Sequence, residues 1–143
     1  MRRDLLDELR RYAAQSVVFH SNLASRLGIR VIDLGCLIML STDGPLTPGE
    51  LATRLGISRG GAITSVIDRL EGAGFVRRSP DDSDRRRVRV EPVAVRAGVA
   101  IAPVVGVLGN EFPSDPETLD VVLGFLHTMN TALQASNEQF SRS

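Results

Sequence analysis

The chain has little of several residue types that would point to other classes of protein. It contains no lysine and no tryptophan, one cysteine, five phenylalanines and one tyrosine. The single cysteine, Cys36, excludes an internal disulfide and fits a reducing compartment. No apolar run approaches the roughly 18–20 residues of a membrane span, and no signal-type apolar stretch follows Met-Arg-Arg-Asp. We therefore expect a soluble, cytoplasmic protein without a membrane partner.

Charge is balanced over the whole chain but not along it. All seventeen basic residues are arginine and they match seventeen acids, so the formal net charge is zero. Residues 47–97 nevertheless hold ten arginines against seven acids, whereas residues 98–143 hold one arginine against five acids. Guanidinium groups suit phosphate and guanine edges, and the local field governs phosphate binding. The middle of the chain is therefore a candidate nucleic-acid surface, although ordinary surface variation would also give this excess.

The two ends of the chain read as long apolar helices around a central region. One amphipathic helix is predicted over 3–27 and a more uniformly apolar one over 30–41. Near the C-terminus, 93–112 is apolar on nearly every face, and 116–140 carries two apolar stripes. Because 143 residues make one domain too small to wrap such helices, a second copy is expected to cover them. We therefore divide a single domain into supporting and dimerising helices (1–45), a central region (46–91) and C-terminal dimerisation helices (92–143).

The central region begins with two short amphipathic segments around a turn. Leu51, Ala52 and Leu55 share one face of the first segment, and Thr47 with Glu50 forms a capping box at its start. Gly56-Ile57-Ser58 supplies the turn, in which Ser58 is expected to cap the next helix. The second helix buries Ile63, Val66, Ile67 and Leu70, so its start exposes a small polar surface: Arg59, Gly60, Gly61, Thr64 and Ser65.

Two alternating segments follow this helix–turn–helix. Residues 75–78 and 88–90 have the period of strands, and the charged loop 79–84 separates them. Such a hairpin, rich in arginine, can grip the minor groove beside a recognition helix in the major groove. The predicted fold is mainly α with a small β-hairpin wing: a winged helix–turn–helix domain flanked by N- and C-terminal dimerisation helices.

The central region also resembles a known family. Leu51-Ala52, Leu55-Gly56, Asp68-Arg69-Leu70-Glu71, Gly74-Phe75-Val76-Arg77-Arg78 and Asp84-Arg85-Arg86 are similar, in order and spacing, to the signature of the MarR-type winged helix–turn–helix regulators. The resemblance implies a homodimeric transcription factor, often a repressor, that binds a double-stranded, pseudo-palindromic operator. It also implies release by a small phenolic or lipophilic effector or by thiol oxidation. It makes Asp84 and Arg86 the wing-tip pair whose arginine enters the minor groove.

The candidate DNA-binding residues come from the start of the second helix and from the wing. Arg59 and Thr64 are the best base-edge candidates, whereas Arg85 and Arg87 are better placed for phosphates. Arg69 could instead be a structural partner of Asp68 or Glu71. We expect one of Arg77 and Arg78 to pair with Asp84 or another acid and the other to face solvent or phosphate. The complete predicted set is Ser58, Arg59, Gly60, Gly61, Thr64, Ser65, Arg69, Arg78, Asp84, Arg85, Arg86 and Arg87.

Other residues with chemical potential are weaker candidates. Tyr12, Phe19 and His20 on the first helix could line an effector pocket, or they could simply be core residues. Cys36 lies among apolar residues, which favours a buried, inert thiol over a peroxide sensor. His20 and His127 are far apart and lack clustered Cys, Asp or Glu, so neither a metal nor another cofactor is expected.

Three classes of function remain to be compared. A sequence-specific DNA-binding regulator explains both the arginine-rich wing and the polar helix start. The alternative is a winged helix that binds protein and not DNA. A protein-binding face would show exposed aromatic residues, which we do not expect on the arginine-rich wing or at the polar start of the second helix. An enzyme is not expected, because the sequence shows no nucleophile–base pair, phosphate-binding glycine loop or metal cluster.

Overall fold

The computed structural model describes residues 1–141 and confirms the predicted fold class. Within this range, six helices surround one two-stranded antiparallel sheet. None of the described helices is both long and apolar enough to cross a membrane. The elements are α1 (Arg2–Leu27), α2 (Val31–Asp43), α3 (Pro48–Leu55), α4 (Gly61–Gly72), β1 (Val76–Pro80), β2 (Val88–Pro92), α5 (Ala94–Gly109) and α6 (Pro116–Ser141).

The main hydrophobic core lies where α2, α3, α4 and the hairpin meet. From α2 it takes Leu37 and Leu40, and from α3 it takes Leu51. The predicted apolar face of α4 is fully used, since Ile63, Val66, Ile67 and Leu70 are all buried. The wing is thereby anchored to the same core as the recognition helix, which sets their relative position.

The wing is longer than its apolar pattern predicted. β1 and β2 pair antiparallel from Val76 opposite Pro92 to Pro80 opposite Val88. Val90 also exchanges two backbone hydrogen bonds with Leu46, N···O 2.8 and 3.1 Å, so the segment before α3 covers the outer edge of β2. This bridge fastens the wing to the helix–turn–helix from its second side.

The terminal helices leave much apolar surface uncovered in the single chain. Only Leu23 and Ala24 of α1 and Ala97 and Ala100 of α5 are buried. Most of the exposed large apolar side chains lie on α1, α5 and α6, whereas Val88 is the one such residue within 46–91. The predicted distribution of apolar faces is therefore present, with the central region well packed and the ends open.

Candidate nucleic-acid interface

The corner of the helix–turn–helix is built from a capped helix and a left-handed glycine. Thr47 and Glu50 form the predicted capping box: the Thr47 N–H donates to Glu50 Oε2 at 2.7 Å, and the Glu50 N–H donates to Thr47 Oγ1 at 3.2 Å. These bonds hold the pKa of Glu50 below its usual range. Gly56 ends α3 at φ 65°, where a β-carbon would also lie 2.8 Å from the backbone oxygen of Asn137 in α6. Glycine is thus required there by conformation and by space.

The recognition helix starts later in the sequence than it would if Ser58 were its N-cap. Helix α4 begins at Gly61, its N-cap is Gly60 at φ 95°, and no side chain caps it. The predicted capping role of Ser58 is therefore wrong, because the chain needs Gly60 in a conformation that other residues rarely adopt before the helix can start. Ser58, Gly60 and Gly61 are all exposed. The uncapped N–H groups of the first turn consequently face outward.

The polar residues predicted to read bases are exposed, and two of them already form hydrogen bonds within the protein. Arg59 folds back over α3, where its Nη2 donates to Thr53 Oγ1 at 3.2 Å and its guanidinium passes beside Gly49. The Ser65 hydroxyl donates to the Gly61 carbonyl at 2.9 Å, which leaves its oxygen lone pairs as acceptors. Thr64 is also exposed. All three side chains are therefore accessible, and their role as DNA contacts stays a prediction.

Arg69 is held by a buried carboxylate from another helix. Its Nε and Nη2 donate to Asp33 at 2.9 and 2.7 Å, and Asp33 is fully buried and also accepts the Arg30 N–H at 3.0 Å. These hydrogen bonds to Asp33 raise the pKa of the Arg69 guanidinium. Asp68 and Glu71, the structural partners predicted for Arg69, are not its partners. They lie on the side of α4 that meets β1, where they take Arg78 instead.

Both arginines of the first wing strand are paired with acids. Arg78 bridges to Asp68 and Glu71, and these bonds raise its pKa, with the Asp68 bond the largest cause. Arg77 pairs across the sheet with Glu91. The expectation that only one of them would be paired is therefore wrong, because each of the two faces of β1 has an acid within reach. Arg78 fastens the wing to α4, and a DNA contact by Arg78 stays a prediction.

Two aspartates hold the loop at the wing tip by accepting hydrogen bonds. Asp81 accepts the Ser83 hydroxyl at 2.7 Å and the Ser83 N–H at 2.9 Å, and these bonds hold the pKa of Asp81 below its usual range. Asp81 also lies 3.2 Å from Arg89. Asp84 accepts the backbone N–H of Arg86 at 3.0 Å. Asp84 thus positions Arg86 through the main chain, as short polar side chains do in turns.

This loop leaves three consecutive arginines pointing away from the core. Arg85, Arg86 and Arg87 are exposed, and among the described residues none of them has an acidic partner within ion-pair distance. Elsewhere in the wing and in α4, Arg69, Arg77, Arg78 and Arg89 are all paired. The protein therefore neutralises the arginines at the base of the wing and leaves those at its tip available.

The residues predicted to line an effector pocket do lie together. Tyr12, Phe19 and His20 line a cavity of about 640 Å³ between α1, α5 and α6. Sequence reasoning missed the other eight lining residues, among them Glu111 and Phe112, which follow α5. The signal for these two in the sequence was a lone acid beside an aromatic residue at the end of an apolar helix. A cavity of this size falls in the range of small-molecule sites.

The cysteine is buried and its pKa is raised in this fold. Cys36 is fully buried in α2, as predicted. Burial, with the nearby charge of Asp33, raises the pKa of the thiol to about 12. A thiol that stays protonated at neutral pH is a poor nucleophile and a poor sensor of peroxide.

The fold and the arginine-tipped hairpin beside a recognition helix define a winged helix–turn–helix protein. Residues 33–88 match the model of the MarR family. This match confirms, over these residues, the resemblance to the MarR-type regulators seen in the sequence.

Individual proteins agree with this assignment. The chain is 42% identical over 84 residues to YcgE of Bacillus subtilis (strain 168), named as an uncharacterized HTH-type transcriptional regulator, and the match covers 59% of this chain and 54% of that one. The chain thus spans about half the length of this curated relative.

Solved structures share the fold over most of the chain. Sco3205, a MarR family transcriptional regulator from Streptomyces coelicolor solved in complex with DNA, is 20% identical with a TM-score of 0.55, covering 94% of this chain and 91% of that one. CouR from Rhodococcus jostii RHA1, solved with p-coumaroyl-CoA, is 24% identical with a TM-score of 0.67, covering 91% and 92%.

Proposed function

We propose that this protein is a sequence-specific DNA-binding transcriptional regulator, a homodimeric repressor of a pseudo-palindromic operator that a small molecule releases. The observation that carries the proposal is the set of unpaired arginines at the wing tip. A protein of zero net charge gains nothing structurally from leaving three adjacent cations exposed and unpaired. Phosphates and a narrow minor groove supply the missing negative charge. The structure of Sco3205 with DNA supports this reading.

Each part of the surface has its own role in this proposal. The start of α4, with Thr64 and Ser65 exposed, enters the major groove, and Arg59 reaches from the preceding turn. Arg86, positioned by Asp84, enters the minor groove, while Arg85 and Arg87 contact phosphates. Arg69 and Arg78 support the interface from behind, because carboxylates already hold them.

The homodimer is inferred from the uncovered helices. α6 is exposed along most of its length and carries Leu123, Phe125 and Leu133 on its surface, while α5 exposes Val95, Val99 and Val105. A second copy would bury these side chains and bring two recognition helices to half-sites about 10 base pairs apart. Light scattering at micromolar protein should give twice the chain mass of 15.5 kDa. A monodisperse species of 15.5 kDa would contradict the dimer.

The cavity between α1, α5 and α6 is the proposed effector site. It lies among the helices that would form the dimer, so a ligand there could change how the two wings are spaced. A bound ligand can act only through a difference in its affinity for the two arrangements. The ligand in CouR supports a small-molecule site in this fold.

The test of DNA binding begins with selection of bound sequences from a random pool. On the selected operator, Arg86→Ala should weaken binding by about 1–3 kcal/mol and should cost less when the wing positions are changed from A·T to G·C. Arg85→Ala and Arg87→Ala should weaken binding to all sequences about equally. Arg3→Ala, an exposed arginine in the first turn of α1, is the matched control and should bind normally.

Two results would overturn parts of this proposal. If Arg86→Ala binds normally while Arg85→Ala or Arg87→Ala loses sequence preference, another arginine is the minor-groove residue. If all three variants bind like the wild type, the wing does not contact DNA. Circular dichroism and light scattering on each variant establish that helix content and assembly are unchanged.

A further inference from the structure

The cavity between α1, α5 and α6 is unusually aromatic for this chain. Tyr12, Phe19 and Phe112 line it, and the whole sequence contains one tyrosine and five phenylalanines. Val104, Leu108 and Leu126 complete an apolar wall. The face of an aromatic ring carries partial negative charge and attracts cations as well as apolar groups. Three of the six tyrosine and phenylalanine residues of the chain therefore lie around this one cavity.

The charge at this cavity has one sign. Glu111 is the charged residue that lines it, and none of the arginines in residues 1–141 does. A carboxylate or phosphate ligand would lie near the Glu111 carboxylate with no cation of this chain to balance it. The wall therefore disfavours anions.

Three further polar residues line the cavity, Gln15, Ser16 and His20. His20 Nδ1 lies 2.7 Å from the carbonyl oxygen of Ser16, and a carbonyl oxygen can only accept, so Nδ1 donates this bond and is not available to a ligand. The edge-to-face contact with Phe19 fixes the ring further, with centroids 5.6 Å apart. Gln15 and Ser16 can both donate and accept hydrogen bonds, so the preference for positive charge comes from Glu111 and the aromatic faces.

We infer that this cavity takes a lipophilic organic cation, a protonated amine or quaternary ammonium on an aromatic or aliphatic body. The aromatic faces and the Glu111 carboxylate hold the charged head, and the apolar wall holds the body. This inference rests on the proposed function in that it names the chemical class of the effector. It excludes phenolic acids and other anions as good ligands for this chain.

The experiment compares three probes that share one skeleton. They are 4-phenylbutyltrimethylammonium, 4-phenylbutanol and 4-phenylbutyrate, each titrated calorimetrically into the full chain without DNA. The ammonium compound should bind about tenfold or more tightly than the alcohol, and the carboxylate should bind most weakly. Equal affinities for the three probes, no binding of the ammonium compound, or tightest binding of the carboxylate would overturn the inference. The last result would indicate that a second copy brings an arginine to the cavity.

Two variants assign the effect to the cavity. Glu111→Gln should weaken ammonium binding about five- to tenfold and leave the alcohol unchanged, because only the charge is removed. Phe112→Leu should weaken the ammonium compound more than the alcohol, because it removes a ring face and keeps apolar volume. Glu117→Gln, an exposed acid in the first turn of α6, is the matched control and should change nothing. Unchanged ammonium binding in Glu111→Gln would refute the role of this carboxylate and the inference with it.

DNA binding is read separately, so the two proposals can fail independently. Ammonium binding without any DNA binding would leave the cavity assignment intact and remove the regulator. DNA binding with failure of the ammonium probe would do the reverse. Release of DNA by the ammonium compound and not by the carboxylate, lost in Glu111→Gln, is the result expected if both hold.

Discussion

The ion pair between Asp33 and Arg69 should matter more for folding than for DNA binding. Asp33 is fully buried, and its carboxylate accepts three N–H groups: the Arg30 backbone and two from Arg69. The Arg69 side chain retains 31% exposure. The two partners are therefore unequal, since an unpaired Arg69 could reach water and an unpaired Asp33 could not. Removing the arginine should be the more damaging change.

The magnitudes follow from that inequality. Arg69→Met keeps the length of the apolar stem and leaves a buried carboxylate with one backbone donor, which should cost about 3–5 kcal/mol. Asp33→Asn keeps an acceptor of the same shape for the Arg30 N–H and leaves a cation that can be hydrated, which should cost about 1–2 kcal/mol. In the double variant no buried charge is left unpaired, so its loss should be smaller than the sum of the two.

The assay is urea unfolding followed by circular dichroism at one fixed protein concentration, because assembly would couple to folding. For a slope near 2 kcal/mol/M, Arg69→Met should lower the midpoint by about 2 M. DNA binding, corrected for the folded fraction at low temperature, should change little. A stable Arg69→Met that has lost operator affinity would refute the reasoning and make Arg69 a DNA contact. Equal costs for Asp33→Asn and Arg69→Met would refute the inequality.

Three other perturbations test separate features. Gly56→Ala should destabilise the protein more than Gly28→Ala. Both positions have left-handed φ, 65° and 69°, but only at Gly56 would a β-carbon meet Asn137, at 2.8 Å. Equal losses in thermal unfolding would mean that α6 does not pack against Gly56. Cys36, with its pKa raised to about 12, should label with a disulfide reagent only as fast as the native protein opens, and rapid labelling at pH 8 would show it accessible. A plot of log affinity for the operator against log salt concentration should have a slope of roughly −7, for about eight phosphates per dimer. A slope shallower than about −2 would mean that the arginines do not face DNA.

Local chemistry made much of this fold predictable. The capping box at Thr47, the stop at Gly28 and the buried face of α4 all depend on residues within a few positions of each other. Hydrophobic periodicity predicted the helices at 3–27, 48–55, 61–72 and 116–140, and nearly continuous apolar sequence predicted those at 30–41 and 93–112. The change to alternation after Gly74 predicted the wing. Burial of Cys36 followed from its apolar neighbours in a single helix.

Partner choice among charged residues could not be read in the same way. Three arginines and five acids lie within residues 68–84, and sequence proximity suggested pairing Arg69 with Asp68 or Glu71. The actual partner is Asp33, 36 residues away, and the neighbouring acids take Arg78. The one hint was Asp33 itself, an aspartate next to the apolar stretch of α2, whose charge has to be paired if it is buried.

The sequence by itself thus determined the elements, their apolar faces and the resemblance to the MarR family over residues 33–88, because these depend on residue type at short spacing. The tertiary structure decided which arginines are neutralised, where α4 starts and what surrounds the cavity. Arg69 forms an ion pair with Asp33 where α2 packs against α4, and Arg78 forms one with Glu71 where β1 packs against α4. The tip of the hairpin lies outside these two contacts. Arg85, Arg86 and Arg87 stay available for a ligand of opposite charge because no helix of the described chain brings a carboxylate to them.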